Sequence, residues 1–519
     1  MYRRAAWCLV FALLLFGATA RVRSAGLTII THGLNSNIDD WVIAMAQKIP
    51  RYPNFPGTNF ACYELYFVAS NPGYALTWRR LAGTTPNESG EIVVKLDWRQ
   101  LANNSYSTYQ VAAMVVPKLL ERDFISEWPG HALAELPIHM IGHSRGGSLI
   151  CELSNLLGTN GIWVDHLTTL DPHPLNNDSF SDYPYTVVDA PARTYQNVLF
   201  HDNYFQKIDS LFNGESVAGA YVRQLTNLDG GYSGFASAHS DVHLWYHGTV
   251  DTQTPTTDSV SAITATERQQ WWNGYENGGV NAGYRYSRTG GGDRMSTNQP
   301  TGSGSRIRDS YNQRWELGAG TQNNRTALST NRGDWASLIK ADPGTNAVAF
   351  GQSMRLFVSY QWARPDASNA TINVFWDNDW NPFNGNEQQL GQIRVTGTGG
   401  ASVGTSGPSF MVGATNATPG EHLLFLQIVA NGQSRYLYAA QPVKVMSSFA
   451  APNLQLSSNS GPGPHLSING LAGQRLVLET STDLNSWRSI ATNWMIQSSW
   501  EYIDQSATGN QSFYRAAVR

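Results

Sequence analysis

The chain runs to 519 residues, carries a formal net charge of −4 and gives only 14% of its positions to Asp, Glu, Lys and Arg. That length exceeds one ordinary domain and implies about two to four. No basic stripe is present, which argues against a nucleic-acid partner. The abundance of Gly, Asn, Thr and Ser, with few Lys, suits a β-rich or loop-rich exported protein.

The first elements read as an export signal. Arg3 and Arg4 supply positive charge, Ala5 to Phe16 form an apolar run, and Ala18-Thr-Ala20 is a small-x-small cleavage site. A signal peptide is therefore expected over residues 1–20. The run is shorter than the ~20 residues a membrane span needs. A buried first helix is the competing reading, opposed by the start at Met1 and the cleavage pattern. No later stretch is apolar enough to span a bilayer. A secreted, periplasmic or extracellular protein without a transmembrane segment is expected. Cys8 leaves with the signal, so Cys62 and Cys151 remain. They either pair once or stay as buried thiols; a place for Cys151 on a helix favours the thiol.

From residue 26 to 274, apolar runs alternate with helical patterns. Leu27–Thr31, Ile92–Leu96, His166–Leu170 and Asn197–Phe200 read as strands, and Trp41–Ile49 and Tyr109–Glu121 as helices. Alternation of this kind predicts an α/β domain with a mostly parallel sheet covered on both faces. Within it lies Ile138-His-Met-Ile-Gly-His-Ser-Arg-Gly-Gly147, a Gly142-x-Ser144-x-Gly146 motif between an apolar strand and a helical run to Leu157. Strand, sharp turn and helix lift a serine hydroxyl above a sheet at the positive end of a helix. Small residues at 142 and 146 leave room for that turn. A glycine-rich turn holding an ordinary serine is the plain alternative.

A serine nucleophile needs a base, and the base an orienter. Asp171, in Leu170-Asp-Pro-His-Pro174 after a predicted strand, is the candidate acid, with Asp202 in reserve. His239, in Ala238-His-Ser-Asp-Val-His-Leu-Trp-Tyr246, is the candidate base. His243 is the alternative four residues on, while His173 and His201 read as structural or loop histidines. The oxyanion donors are expected to be the backbone N–H groups of Arg145 and of Leu34, in Thr31-His-Gly-Leu34.

These pieces resemble the α/β-hydrolase fold, and most closely its pancreatic-lipase-like branch. The matching segments are Ile29-Ile-Thr-His-Gly-Leu34 with Trp41, Val94-Lys-Leu-Asp-Trp98 with Tyr106, Ile141-Gly-His-Ser-Arg-Gly146, Leu170-Asp-Pro172, and His239 with Tyr246. The resemblance implies a Ser144–His239–Asp171 triad with Leu34 and Arg145 at the oxyanion hole. Two departures stand out. Arg145 follows the serine where that branch usually has Leu, and the cysteines that staple its lid are absent. Both weigh against strict interfacial activation. Between Asn203 and Ala238, Val217, Tyr221 and Leu225 recur at helical spacing among several glycines, which predicts a lid with an apolar stripe.

Residues 275–335, with Gly290–Asp293 and Thr301–Ser305, read as a Gly/Ser/Asn-rich linker or long loops. After Trp335 helix signals fade. Met354–Tyr360, Thr371–Phe375 and Leu423–Val429 predict an immunoglobulin-like β-sandwich over 336–447. Leu476–Thr480 and Phe513–Ala517 predict a small β-module over 451–519. Asp377, Asp379 and Asn381 alternate as in calcium loops, but Pro382 stands where such loops have glycine. A polar turn is the preferred reading there and a structural calcium the other. Trp376, Trp380 and Trp487 are either sugar-stacking platforms or core.

The chain thus reads as a secreted serine carboxylester hydrolase, an esterase or lipase that needs no cofactor. Its substrate is an ester, whether a lipid or part of an insoluble polymer. The alternatives are a polymer-directed esterase anchored by the β-modules and a non-catalytic binding protein on a hydrolase scaffold.

Overall fold

A computed structural model describes residues 25–51, 60–103, 105–178, 185–253, 256–258, 260–271, 283–287 and 325–518. The last stretch is interrupted at 350, 365–368, 399–408, 415–416, 440–441, 447–451, 458–462, 471–473, 496–497 and 508–510. The predicted signal over 1–20 and the glycine-rich runs at 290–293 and 301–305 lie outside the described residues. No helix among the described residues is long and apolar enough to cross a membrane.

The amino-terminal half is α/β. Its elements are β1 (Gly26–Thr31), α1 (Trp41–Lys48), β2 (Ala61–Ala69), β3 (Tyr74–Gly83), the single turn α2 (Pro86–Ser89), β4 (Glu91–Asp97) and α3 (Thr108–Leu120). There follow β5 (Ile138–His143), α4 (Arg145–Thr159), β6 (Val164–Leu170), β7 (Val198–Gln206), β8 (Tyr221–Leu225) and α5 (Ser237–Val250). A short β9–β10 hairpin (Thr256–Thr257, Ala262–Ile263) and α6 (Ala265–Trp271) close the region. Eight strands form one sheet in the order β3-β2-β4-β1-β5-β6-β7-β8. Every neighbouring pair is parallel except β2–β3.

Strands β1, β4, β5 and β6 are buried along their whole length, as near-continuous apolar runs covered on two faces require. Alternation sorts their side chains. Leu27, Ile29, Val94 and Met140 meet Val111, Val115, Leu149 and Leu153 of α3 and α4. Ile30, Val93 and Ile141 meet Trp41, Val42, Val242 and Trp245 of α1 and α5. Each fully buried aliphatic side chain contributes about 1.5–3 kcal/mol. Cys62 and Cys151 are both free and buried; burial pushes the Cys151 thiol up to about 12.

The carboxyl half is all β. One core lies between the sheet of β11 (Ser337–Asp342), β13 (Ser353–Gln361) and β16 (Ser409–Gly413) and a six-stranded sheet. The latter holds β12 (Ala347–Ala349), β14 (Ala370–Asp377), β15 (Gln388–Val395), β17 (Gly420–Ala430), β18 (Gln433–Tyr438) and β19 (Val443–Met446). A smaller pair of three-stranded sheets, within Asn453–Val518, packs around Leu466, Ile468, Leu476 and Leu478.

The first β-domain is fused to the α/β domain rather than tethered to it. Leu423, Phe425, Tyr436 and Tyr438 belong to the same apolar core as β1 and β4. The buried Arg435 guanidinium donates to the carbonyls of Ala134, Leu136 and Trp163. The described parts of the predicted linker are anchored at particular residues, although Ala327, Ser329, Thr330 and Arg332 are exposed. Tyr284, Tyr286 and Ser287 are buried, and Trp335 joins the main core. Aromatic side chains within a glycine-rich run supplied that anchoring. Sequence periodicity does not reveal the β2–β3 hairpin, because Arg79 and Arg80 interrupt its apolar pattern on an exposed edge.

The helical stripe expected in a lid is strand instead. Tyr221 and Leu225 alternate inward along β8, which extends the sheet beside β7, and Val217 is buried just before it. Their spacing of four fits a period of two as well as one of 3.6. Trp376 is a core residue, Trp380 packs on Tyr438 with ring centroids 4.9 Å apart, and Trp487 lies under Arg515. Trp376 is therefore core, Trp380 is covered on the Tyr438 side, and Trp487 remains part-exposed beside Arg515.

Candidate active site

The strand order brings the carboxyl ends of β1, β5 and β6 side by side, with Thr31 opposite Gly142 and His143 opposite Leu170. The residues that follow these ends, Gly33, Ser144 and Asp171, therefore meet. Carboxyl ends of parallel strands are where open α/β sheets gather their ligands.

Ser144 caps α4 with φ 57° and ψ −127°, and Asp171 has φ 43°. Both are non-glycine residues at positive φ, a sparsely populated backbone that costs of order 1–3 kcal/mol. The turn is held by its neighbours. The Ser144 N–H donates to the Leu170 carbonyl (2.9 Å), and the Ser144 carbonyl accepts from Gly147 and His173 N–H. A Cβ on Gly146 would stand 2.4 Å from the His32 carbonyl, and one on Gly33 2.7 Å from Ser144 Cβ. The loop after β1 thus runs against the serine itself. We expect Gly33→Ala to lower turnover on the order of 10²-fold, the scale of one lost oxyanion donor, with KM little changed. Steady-state kinetics on a soluble ester check this.

Asp171 is fully buried, and four donors converge on it. Oδ1 accepts the N–H groups of Gln206 (2.9 Å) and Gly214 (3.0 Å). Oδ2 accepts Gln206 Nε2 (3.0 Å) and His239 Nδ1 (2.6 Å). The Asp171–His239 pair fixes the imidazole with Nε2 as its free nitrogen. His239 lies in the first turn of α5, 9% exposed, and Ser144 is 8% exposed. Both residues are largely buried yet keep some exposure to solvent. Gln206 leaves no trace in the sequence pattern, and Gly214 reads there only as one bending point of the predicted lid, since their role depends on β7 lying beside β6.

His143 adds a contact that the motif alone did not announce. Its Nε2 donates to the His239 carbonyl (2.9 Å), and the two rings lie 4.4 Å apart. Burial first, then the neighbouring His239 and His243, holds its pKa well below the usual imidazole range. The donated bond works the other way, favouring the charged form, and burial outweighs it. The alternative base, His243, stacks on Trp41 at 4.6 Å with its Nδ1 3.4 Å from Asp258 Oδ2. His247 Nδ1 and Tyr232 Oη bond the same carboxylate.

The reserve acid Asp202 belongs to a separate buried network with His166, Thr168 and Tyr204. Burial raises its pKa to about 7. His201 is buried between Thr169 and Thr194. His173, in contrast, lies at the site: its ring is 6.4 Å from that of His239, and Nδ1 is 2.8 Å from Asp178.

Leu34 follows Gly33 at the serine, and Arg145 opens α4, where an N–H has no acceptor within the helix. The Arg145 side chain turns inward and is fully buried. In the carboxyl half, Asp377 accepts Tyr438 Oη (2.5 Å) and the Asn378 and Asp379 N–H groups. Asp379 accepts from Asn381, Asn384 and Asn386, while Asn381 Nδ2 reaches the Asn87 carbonyl. These bonds are those of a polar turn docked on the α/β domain. Among the described residues no group of three His, Cys, Asp or Glu side chains is placed to hold a metal ion.

No protein-family model and no curated protein matches the chain. Among solved structures it is similar to the sporulation control protein Spo0M from Bacillus subtilis, at 9% identity over 36% of this chain and 90% of that one, with a TM-score of 0.15. It is also similar to a chain of a chaperone–tip adhesin complex of CFA/I fimbriae, at 11% identity over 36% of this chain and 97% of that one, with a TM-score of 0.14. Scores of that size carry no argument about fold or function.

Proposed function

We propose that the chain is a serine carboxylester hydrolase of the α/β-hydrolase type, similar in its motifs to the pancreatic-lipase-like branch and exported behind its amino-terminal signal. The observation that carries this reading is the 2.6 Å Asp171–His239 bond at the sheet edge where Ser144 occupies a strained strand-to-helix turn against Gly33. In the reaction, His239 Nε2 takes the Ser144 proton as Oγ bonds to the ester carbonyl carbon. The developing oxyanion takes hydrogen bonds from the Leu34 and Arg145 N–H groups. Collapse breaks the carbonyl–alkoxy bond, and His239 returns the proton to the leaving alcohol. Water, deprotonated by the same imidazole, then cleaves the acyl-enzyme. Asp171 stabilises the imidazolium and fixes its tautomer. Labelling of Ser144 by a fluorophosphonate tests the reading and separates it from a non-catalytic binding protein.

The rim supports an apolar acyl group. Phe212 lies 6.1 Å from the His239 ring and 5.2 Å from Phe235. Ile208, Leu211 and Phe235 are 51%, 61% and 78% exposed on the loops around it. These apolar side chains face solvent around the site. We therefore expect hydrolysis of short-chain nitrophenyl esters below their solubility limit. Near-zero rates in solution with a sharp rise on emulsions would instead identify an interface-dependent lipase. The fused β-domain and the packed Trp376 and Trp380 give a polymer-anchoring role no support.

A further inference from the structure

We propose that the Arg145 side chain, through its buried ion pair with Asp189, is a positioning residue that sets both oxyanion donors; this rests on the hydrolase reading above. Arg145 and Asp189 are both fully buried. Nε and Nη2 grip the Asp189 carboxylate at 2.6 and 2.8 Å. Nη1 donates to the Asn103 carbonyl (2.5 Å) and Nη2 also to that of Tyr106. The guanidinium lies 5.1 Å over the Trp98 ring.

Each partner leads to a different part of the site. Asp189 also accepts the N–H groups of Thr108 (2.8 Å) and Leu175 (3.0 Å). It thereby ties the start of α3 to the loop that leaves Asp171. Trp98 Nε1 donates to the His32 carbonyl (3.0 Å), and its N–H to His32 Nε2 (3.2 Å). His32 Nδ1 in turn donates to the Gly33 carbonyl (3.0 Å). One guanidinium thus fixes the residue whose own N–H is the first donor. Through Trp98 and His32 it also fixes the loop that presents the second. A planar five-donor fork fits this task, whereas an ammonium makes a single point contact.

Mutation of either partner alone strands a buried charge and endangers folding. The decisive variant is therefore the charge-free pair Arg145→Met with Asp189→Asn, whose amide oxygen still accepts the Thr108 N–H while the Leu175 N–H loses its side-chain acceptor. In the folded double variant we expect kcat on a soluble ester to fall about 10²-fold, with KM within about threefold. Affinity for an alkyl boronic acid, which forms a tetrahedral adduct at Ser144, should fall by the same factor. A merely structural role would lower thermal stability and leave this split untouched. Arg145→Lys, which keeps the charge, provides a second measurement should the double variant not fold, with an expected loss of about tenfold in kcat. Unchanged kcat in either folded variant, or a rise in KM alone, overturns the proposal. If the wild type neither hydrolyses esters nor reacts with a fluorophosphonate, the hydrolase reading fails and this one with it. Wild-type labelling beside an undiminished variant overturns only the positioning role.

Discussion

Ser144→Ala should remove ester hydrolysis while leaving the protein folded. Loss of a nucleophilic serine costs on the order of 10⁴ to 10⁶ in turnover, because the remaining groups act on the substrate only through it. The stability cost should be small. Ser144 meets its surroundings through backbone bonds to Leu170, Gly147 and His173, all of which alanine keeps. Alanine at φ 57° retains the strain already present and adds none. Thermal unfolding and kinetics on the same preparation check both halves. A folded Ser144→Ala protein with a tenth of the wild-type rate would remove the elbow from the mechanism.

The features legible in the sequence were those set by local pattern. Glycines at 142 and 146 marked a turn with no room for a Cβ, and the structure supplies the colliding atoms. Apolar runs at Leu27–Thr31 and Ile138–His143 marked strands buried on both faces. What stayed hidden depends on neighbours distant in the chain. Asp189 is 44 residues beyond Arg145, and Gln206 is 35 beyond Asp171. Neither follows a motif, because each acts by closing a hydrogen-bond set that only the sheet order assembles. Arg145 itself was visible as a departure from the expected Leu, yet its meaning required Asp189 and Trp98. The reading of Val217, Tyr221 and Leu225 as helical failed for a related reason. Three apolar residues four apart do not separate a helix face from a strand face, and pairing with β7 decides between them.

His239→Ala should be as damaging as loss of the serine, and His243→Ala far less so. Helix α5 carries three histidines paired with carboxylates, His239 with Asp171 and both His243 and His247 with Asp258, and the surroundings of the two carboxylates differ. His239 bonds the carboxylate at the end of β6, next to Ser144. His243 faces Asp258, which His247 and Tyr232 also bond, and its ring is sandwiched toward Trp41. Removing the His239 imidazole leaves Asp171 with three donors, from Gln206 and Gly214, so the carboxylate stays satisfied and the fold holds. Turnover should fall on the order of 10⁴-fold or more, since the proton of Ser144 has no acceptor. Removing the His243 imidazole deletes a packed ring and one partner of a buried carboxylate. That change costs about 1–3 kcal/mol of stability and lowers turnover only through small shifts of α5. Parallel kinetics and unfolding curves on the two variants decide it. The reverse ranking, with His243→Ala inactive and His239→Ala active, would move the base to the Asp258 pair.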